Sequence, residues 1–63
     1  MSEELLLSVE AAAKRLGLGA TTVKALIARR ELKSVRVGAR RLVHIRDLEG
    51  YAERLRVAEA VTQ

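Results

Sequence analysis

Residues 9–30 read Val9-Glu10-Ala11-Ala12-Ala13-Lys14-Arg15-Leu16-Gly17-Leu18-Gly19-Ala20-Thr21-Thr22-Val23-Lys24-Ala25-Leu26-Ile27-Ala28-Arg29-Arg30. Val9, Ala12, Ala13 and Leu16 recur at helical spacing, as do Val23, Leu26 and Ile27. Each set defines one apolar face of a short helix. Gly17-Leu18-Gly19 interrupts the two. Gly17 suits the left-handed residue that closes a helix, and Gly19 is a weak N-cap for the next. The stretch therefore predicts a first helix over 9–16, a tight turn in which Leu18 drops back into the core, and a second helix from Ala20 to about Arg30. Two helices so joined make a helix-turn-helix pattern. Upstream, Ser8 is placed to cap the first helix, and Leu5 to Leu7 is either a short edge strand or an apolar lead-in. Glu10 near the start of that helix and Lys14 and Arg15 near its end match the helix dipole.

Downstream the period changes from helical to alternating. Lys33-Ser34-Val35-Arg36-Val37 places Val35 and Val37 on one face, expected to be the core face. Gly38-Ala39-Arg40 reads as a turn, and Arg41-Leu42-Val43 as the return strand, with Leu42 inward. Strands this short need helices to lean on. A third helix is expected from about His44–Arg46 to Arg56 or beyond, with Leu48, Tyr51, Ala52 and Leu55 as its buried stripe. Asp47 and Glu49 lie near its positive end. Gly50 within it is either an exposed neutral position or a close-packing contact. The expected class is α+β, mostly α: a helix-turn-helix with a two-stranded β-hairpin wing and a third packing helix. The domain is taken as residues 5–57, with 1–4 and 58–63 as flexible or frayed tails. The expected core is Val9, Ala12, Ala13, Leu16, Leu18, Val23, Leu26, Ile27, Val35, Val37, Leu42, Leu48, Tyr51 and Leu55.

Composition narrows the function. At 63 residues, with one Tyr and no Phe or Trp, the core must be tight aliphatic packing; a domain of this size buries only about 60% of its unfolded surface. The absence of cysteine excludes disulfides and thiolate metal sites, and the single histidine, His44, cannot form a metal cluster alone. No metal and no cofactor is expected, and no small-molecule ligand is evident. No apolar run approaches a membrane span, and Met1-Ser2-Glu3-Glu4 lacks the basic start of a signal peptide. A cytoplasmic setting is expected, nucleoid-associated when the chain is bound to DNA. No nucleophile–base pair or carboxylate pair stands out, so no catalytic activity is expected.

Charge supplies the positive signal. The net charge is +4, but Lys24 to Arg46 holds eight basic residues and one acid, Glu31, and the remainder is net negative. A basic zone on a polarised molecule suits a polyanion. Exposed aromatics for stacking on unpaired bases are missing, which disfavours RNA. The expected partner is double-stranded DNA. The second helix would present Ala20, Thr21, Lys24, Ala25 and Ala28 outward, and the N-terminal part of such a helix approaches base edges in the major groove. Thr21 has a donor and an acceptor; Lys24 reaches a guanine or neutralises a phosphate; the alanines pack on thymine methyls. Backbone and wing candidates are Ser8, Thr22, Arg29, Arg30, Lys33, Arg36, Arg40 and Arg41. Ser8 has the competing role of a plain cap, Thr22 that of a local cap, and Arg29 and Arg30 that of serving the helix dipole. Tyr51 reads as core, and His44 as structural or exposed. Gly17, Gly19 and Gly38 are the turn glycines.

Taken in order, Leu6-Leu7-Ser8-Val9-Glu10-Ala11-Ala12, Leu16-Gly17-Leu18, Thr22-Val23, Leu26-Ile27, Leu32-Lys33-Ser34-Val35-Arg36-Val37-Gly38, Arg40-Arg41-Leu42-Val43 and Asp47-Leu48-Glu49-Gly50-Tyr51 resemble the excisionase-like branch of the MerR-like winged helix-turn-helix superfamily. The resemblance spans about residues 5–55. It implies base-facing positions at Ala20, Thr21, Lys24 and Ala25, a wing-turn glycine at Gly38, and wing arginines at Arg40 and Arg41. It further implies sequence-specific DNA binding in transcriptional regulation or in control of site-specific recombination, often cooperative on repeated sites, through self-association on DNA or a partner protein. Three positions depart from the pattern. Gly19 stands where a serine-like cap is usual, Lys24-Ala25 replaces a larger or more basic pair, and His44 stands where a proline often opens the third helix. The first two point to weaker binding at a single site. The rival reading is a basic protein-interaction module within a larger regulatory complex, with weak non-specific DNA binding.

Overall fold

The computed structural model describes residues 4–62, with side chains described for residues 4–58. The element order is β1 (Leu6–Ser8), α1 (Val9–Leu16), α2 (Ala20–Ala28), β2 (Val35–Val37), β3 (Arg40–His44) and α3 (Ile45–Thr62). The fold is mostly helical, with an antiparallel sheet as the wing. The sheet has three strands in the order β1-β3-β2, the expected hairpin with an added N-terminal edge strand, the first of the two readings of Leu5 to Leu7. The N-terminal lead-in supplies the third strand, pairing Leu6 with His44, Leu7 with Val43 and Ser8 with Leu42. The Ile45 amide donates to the Leu5 carbonyl at 2.8 Å, so this pairing carries on to the start of α3.

The helix-turn-helix forms as its residues dictate. Ser8 is extended, and its hydroxyl accepts from the Ala11 amide at 3.1 Å, capping α1. Gly17 closes α1 in the left-handed conformation (φ 76°), and the Leu18 amide donates to the Ala13 carbonyl at 2.9 Å. That bond, not burial of Leu18, fixes the turn: the Leu18 side chain is 37% exposed, which corrects its assignment to the core. Gly19 is extended before α2 and gives no side-chain cap. α2 stops at Ala28, two residues short of the expected end.

The core consists of Leu7, Val9, Ala12, Ala13, Val23, Leu26, Leu32, Val43 and Leu48, with Leu16, Ala20, Ile27 and Tyr51 packed half-buried around it. Leu7, Leu32 and Val43 are additions to the expected core. The burial of Leu7 and Val43 and the exposure of Val35 and Val37 have one cause, which is strand parity. Cross-strand partners share a face, and neighbours along a strand point to opposite faces. Leu7 and Val43 are paired and face the helices. The register Val35↔Leu42 and Val37↔Arg40 puts both valines on the far face. They are 40% and 54% exposed, and Leu42 is half-buried, so all three leave the expected core. Leu32 lies in the irregular link between α2 and β2, where no period could mark it. Its amide folds back to the Leu26 carbonyl at 3.2 Å.

α3 runs through Thr62, the continuation beyond Arg56 that its sequence allowed. Leu48 is buried, but every side chain from Ala52 to Ala58 is exposed, so Ala52 and Leu55 do not form the expected buried stripe. The helix has outrun the body against which it packs. The expected tail residues 1–3 and Gln63 lie outside the described residues.

Candidate nucleic-acid interface

Helical periodicity sorts the residues of α2. Val23 and Leu26 are buried, while Thr21, Lys24, Ala25 and Ala28 are exposed along the opposite side. Thr22 is exposed too. Ala20 is half-buried against the core, so it faces outward less than the sequence implied. The exposed row is short-chained except for Lys24, which lets the helix backbone approach a flat partner closely. With Gly19 giving no side-chain cap, the first amides of α2 have no side-chain acceptor and are oriented outward along the helix axis.

The wing stands beside this row. β2 and β3 join through Gly38-Ala39, a two-residue hairpin turn, and Gly38 takes φ 63°. Glycine at the first central position of such a turn admits the positive φ at no steric cost. Register then separates the wing arginines. Arg36 and Arg41 are partners and share the face that carries Val43 and Leu7; Arg40 lies on the other face with Val37. Arg40 and Arg41, adjacent in sequence, therefore project to opposite sides of the sheet. The Arg41 guanidinium is held by a hydrogen bond from Nη1 to Ser34 Oγ at 3.0 Å. Ser34 escapes the sequence reading because a lone serine before a strand has no distinguishing pattern.

Between α2 and the wing runs a groove of about 820 Å³, bordered by Lys24, Ile27, Arg30, Lys33, Ser34 and Arg41, with Asp47 as its acidic member. Lys24, Arg30 and Lys33 have no salt bridge or side-chain hydrogen bond among the described residues. Arg29 differs: its Nε lies 3.4 Å from Glu31 Oε2 on the surface. Ser8 is occupied by its cap. The groove thus gathers cations from a helix, a loop and a strand of the basic window, against the single acid Asp47. Among the described residues there is no cluster of three or more His, Cys, Asp or Glu able to hold a metal ion. Nor is any helix there long and apolar enough to cross a membrane.

His44 has a structural task. Its Nδ1 accepts from the Arg46 amide at 3.0 Å, closing an orphan donor at the start of α3. Arg54 is likewise structural: it donates to the Glu31 carbonyl at 3.2 Å, with its guanidinium 5.7 Å from the centre of the Tyr51 ring, and so ties α3 to the loop after α2.

A short helix pair with a glycine turn, an exposed second helix and a basic sheet wing beside it define a winged helix-turn-helix domain of the DNA-binding, regulatory type. Residues 6–56 match the family model described as a helix-turn-helix domain, and the chain belongs to that family. It is also 46% identical over 55 residues to a protein named a probable excisionase from Saccharopolyspora erythraea, an alignment covering 87% of this chain and 56% of the relative. The chain thus spans little more than half the length of that curated relative. No solved structure matches it.

Proposed function

We propose that this domain binds double-stranded DNA in a sequence-specific manner, with α2 in the major groove and the wing on the adjoining backbone or minor groove. The observation that carries this reading is the convergence of unpaired cations on the side of the molecule where α2 and the wing stand together. Thr21, Ala25 and Ala28 are the base-facing residues, with Ala20 at their margin, and Lys24 reaches a guanine or a phosphate. Thr22, Arg30, Lys33, Arg36, Arg40 and Arg41 hold backbone, and Arg29 lies at the edge of that set. Phosphate contacts supply much of the affinity, so binding weakens steeply with salt.

A single module of this size covers roughly 600–1,000 Å² of DNA-facing surface, which limits how many bases it reads. Tight selection of a site therefore draws on neighbouring copies on repeated sites or on a partner protein. The named relative makes an excisionase-like role the first candidate, in control of site-specific recombination or of transcription in the cytoplasm. Selection of bound fragments from a random duplex library at about 0.15 M salt tests the reading, since specific complexes survive there while non-specific ones weaken. An enriched motif is expected, and repeats at fixed spacing would reveal cooperative assembly. Failure to enrich any motif would favour the basic protein-interaction module instead.

A further inference from the structure

Three residues among those described have the left-handed backbone: Gly17 (φ 76°), Gly38 (φ 63°) and Arg30 (φ 64°). The first two are glycines, as this conformation favours. The third is an arginine, just after the end of α2. The chain reversal there is built by backbone bonds: the Arg30 amide donates to the Ile27 carbonyl at 3.0 Å and the Glu31 amide to the Leu26 carbonyl at 2.9 Å. A glycine would satisfy the same bonds without the clash between Cβ and the following carbonyl. Nothing within the fold uses the Arg30 side chain, which is exposed, borders the groove between α2 and the wing, and has no salt bridge or side-chain hydrogen bond among the described residues. Strain retained at an exposed position whose side chain the fold leaves unused points to a ligand outside the fold.

The groove's position indicates which ligand. If α2 lies in the major groove and the wing reaches the neighbouring groove, the sugar-phosphate strand that bounds both must pass between them. That is where Lys24, Arg30 and Arg41 converge, with Arg41 pre-oriented by Ser34. Resting on the DNA-binding reading above, we propose that this groove seats a segment of DNA backbone, clamped by Lys24, Arg30 and Arg41, and that Arg30 holds its left-handed conformation at a cost in stability because it is a phosphate ligand.

Two substitutions separate strain from charge. Arg30→Gly removes both; Arg30→Ala removes the charge and keeps a Cβ in the strained conformation. Thermal unfolding of the free protein and titration with a duplex across a salt series would be measured for each. Arg30→Gly should raise the Tm by about 5 °C, the shift that relief of one such residue produces in a domain of this size, while Arg30→Ala should leave it near the starting value. Both should lose about tenfold in affinity, as expected for one charge-assisted contact, and their log K against log salt slope should fall by about 0.9, one phosphate's worth. Undiminished affinity and slope in both variants, with the starting protein binding normally, would overturn the clamp and leave the DNA-binding reading intact. Absence of binding by the starting protein would overturn both. A Tm that does not rise in Arg30→Gly would overturn the claim that stability is given up at this position.

Discussion

Gly50 sits inside α3, where a glycine lowers helix stability by up to about 1 kcal/mol relative to alanine. A Cβ there would meet nothing closer than Arg54 Nη1 at 3.8 Å, an ordinary contact. Of the two sequence readings, close packing is therefore excluded. Gly50→Ala should stabilise the domain by about 0.5–1 kcal/mol and raise the Tm by several degrees in a thermal melt. His44→Ala should act in the opposite direction, losing about 1 kcal/mol as the Arg46 amide loses its acceptor, with His44→Asn restoring most of the loss. At this scale the sequence was legible wherever one residue type has one dominant backbone use. Ser8 as a cap, Gly17 at a helix end and Gly38 in the wing turn all follow from local chemistry. Arg30 was not legible, because nothing in an arginine announces a left-handed φ. Nor was His44, whose capping bond depends on a rotamer.

Among the elements, α1 was readable to the residue, since its N-cap and C-cap are both local signals. The wing was readable as a hairpin but not in its facing. An alternating strand shows which residues share a side, and the choice of buried side depends on the partner strand. Here that choice falls to β1, whose Leu7 pairs with Val43 and fixes the inward parity. The consequence is measurable. Val43→Ala should cost about 2 kcal/mol, because it empties a fully buried site, whereas Val37→Thr should shift stability by less than about 0.5 kcal/mol in chemical denaturation. Equal losses would mean the register is wrong. The same parity divides the wing arginines. Arg41→Ala should weaken duplex binding more than Arg40→Ala, since only Arg41 borders the groove beside α2. A titration of the two single variants at one fixed salt concentration compares them, and an equal or reversed order would reassign the contact to the far face of the sheet.

Over the whole molecule, a small aliphatic core supports a surface with uneven charge. The basic window from Lys24 to Arg46 was visible in the sequence, as was the α+β class, because both depend on composition and period rather than on long-range contacts. The groove between α2 and the wing was not visible, because it exists only once Lys24, Arg30 and Arg41 are brought together by a sheet that closes against the helices. The same dependence explains Leu32, buried by a loop whose path is set by its two flanking elements.

In the proposed complex, α2 and the wing together form the DNA-facing surface. Backbone amide chemical shifts followed by NMR while duplex DNA is added would map that surface residue by residue. The largest changes are expected in Thr21–Ala28, Arg30–Ser34 and Arg36–Arg41, with Lys14, Arg15 and the exposed turns of α3 nearly unmoved. Changes concentrated on α3 or on the α1 surface, with α2 and the wing silent, would place the DNA on another face of the domain.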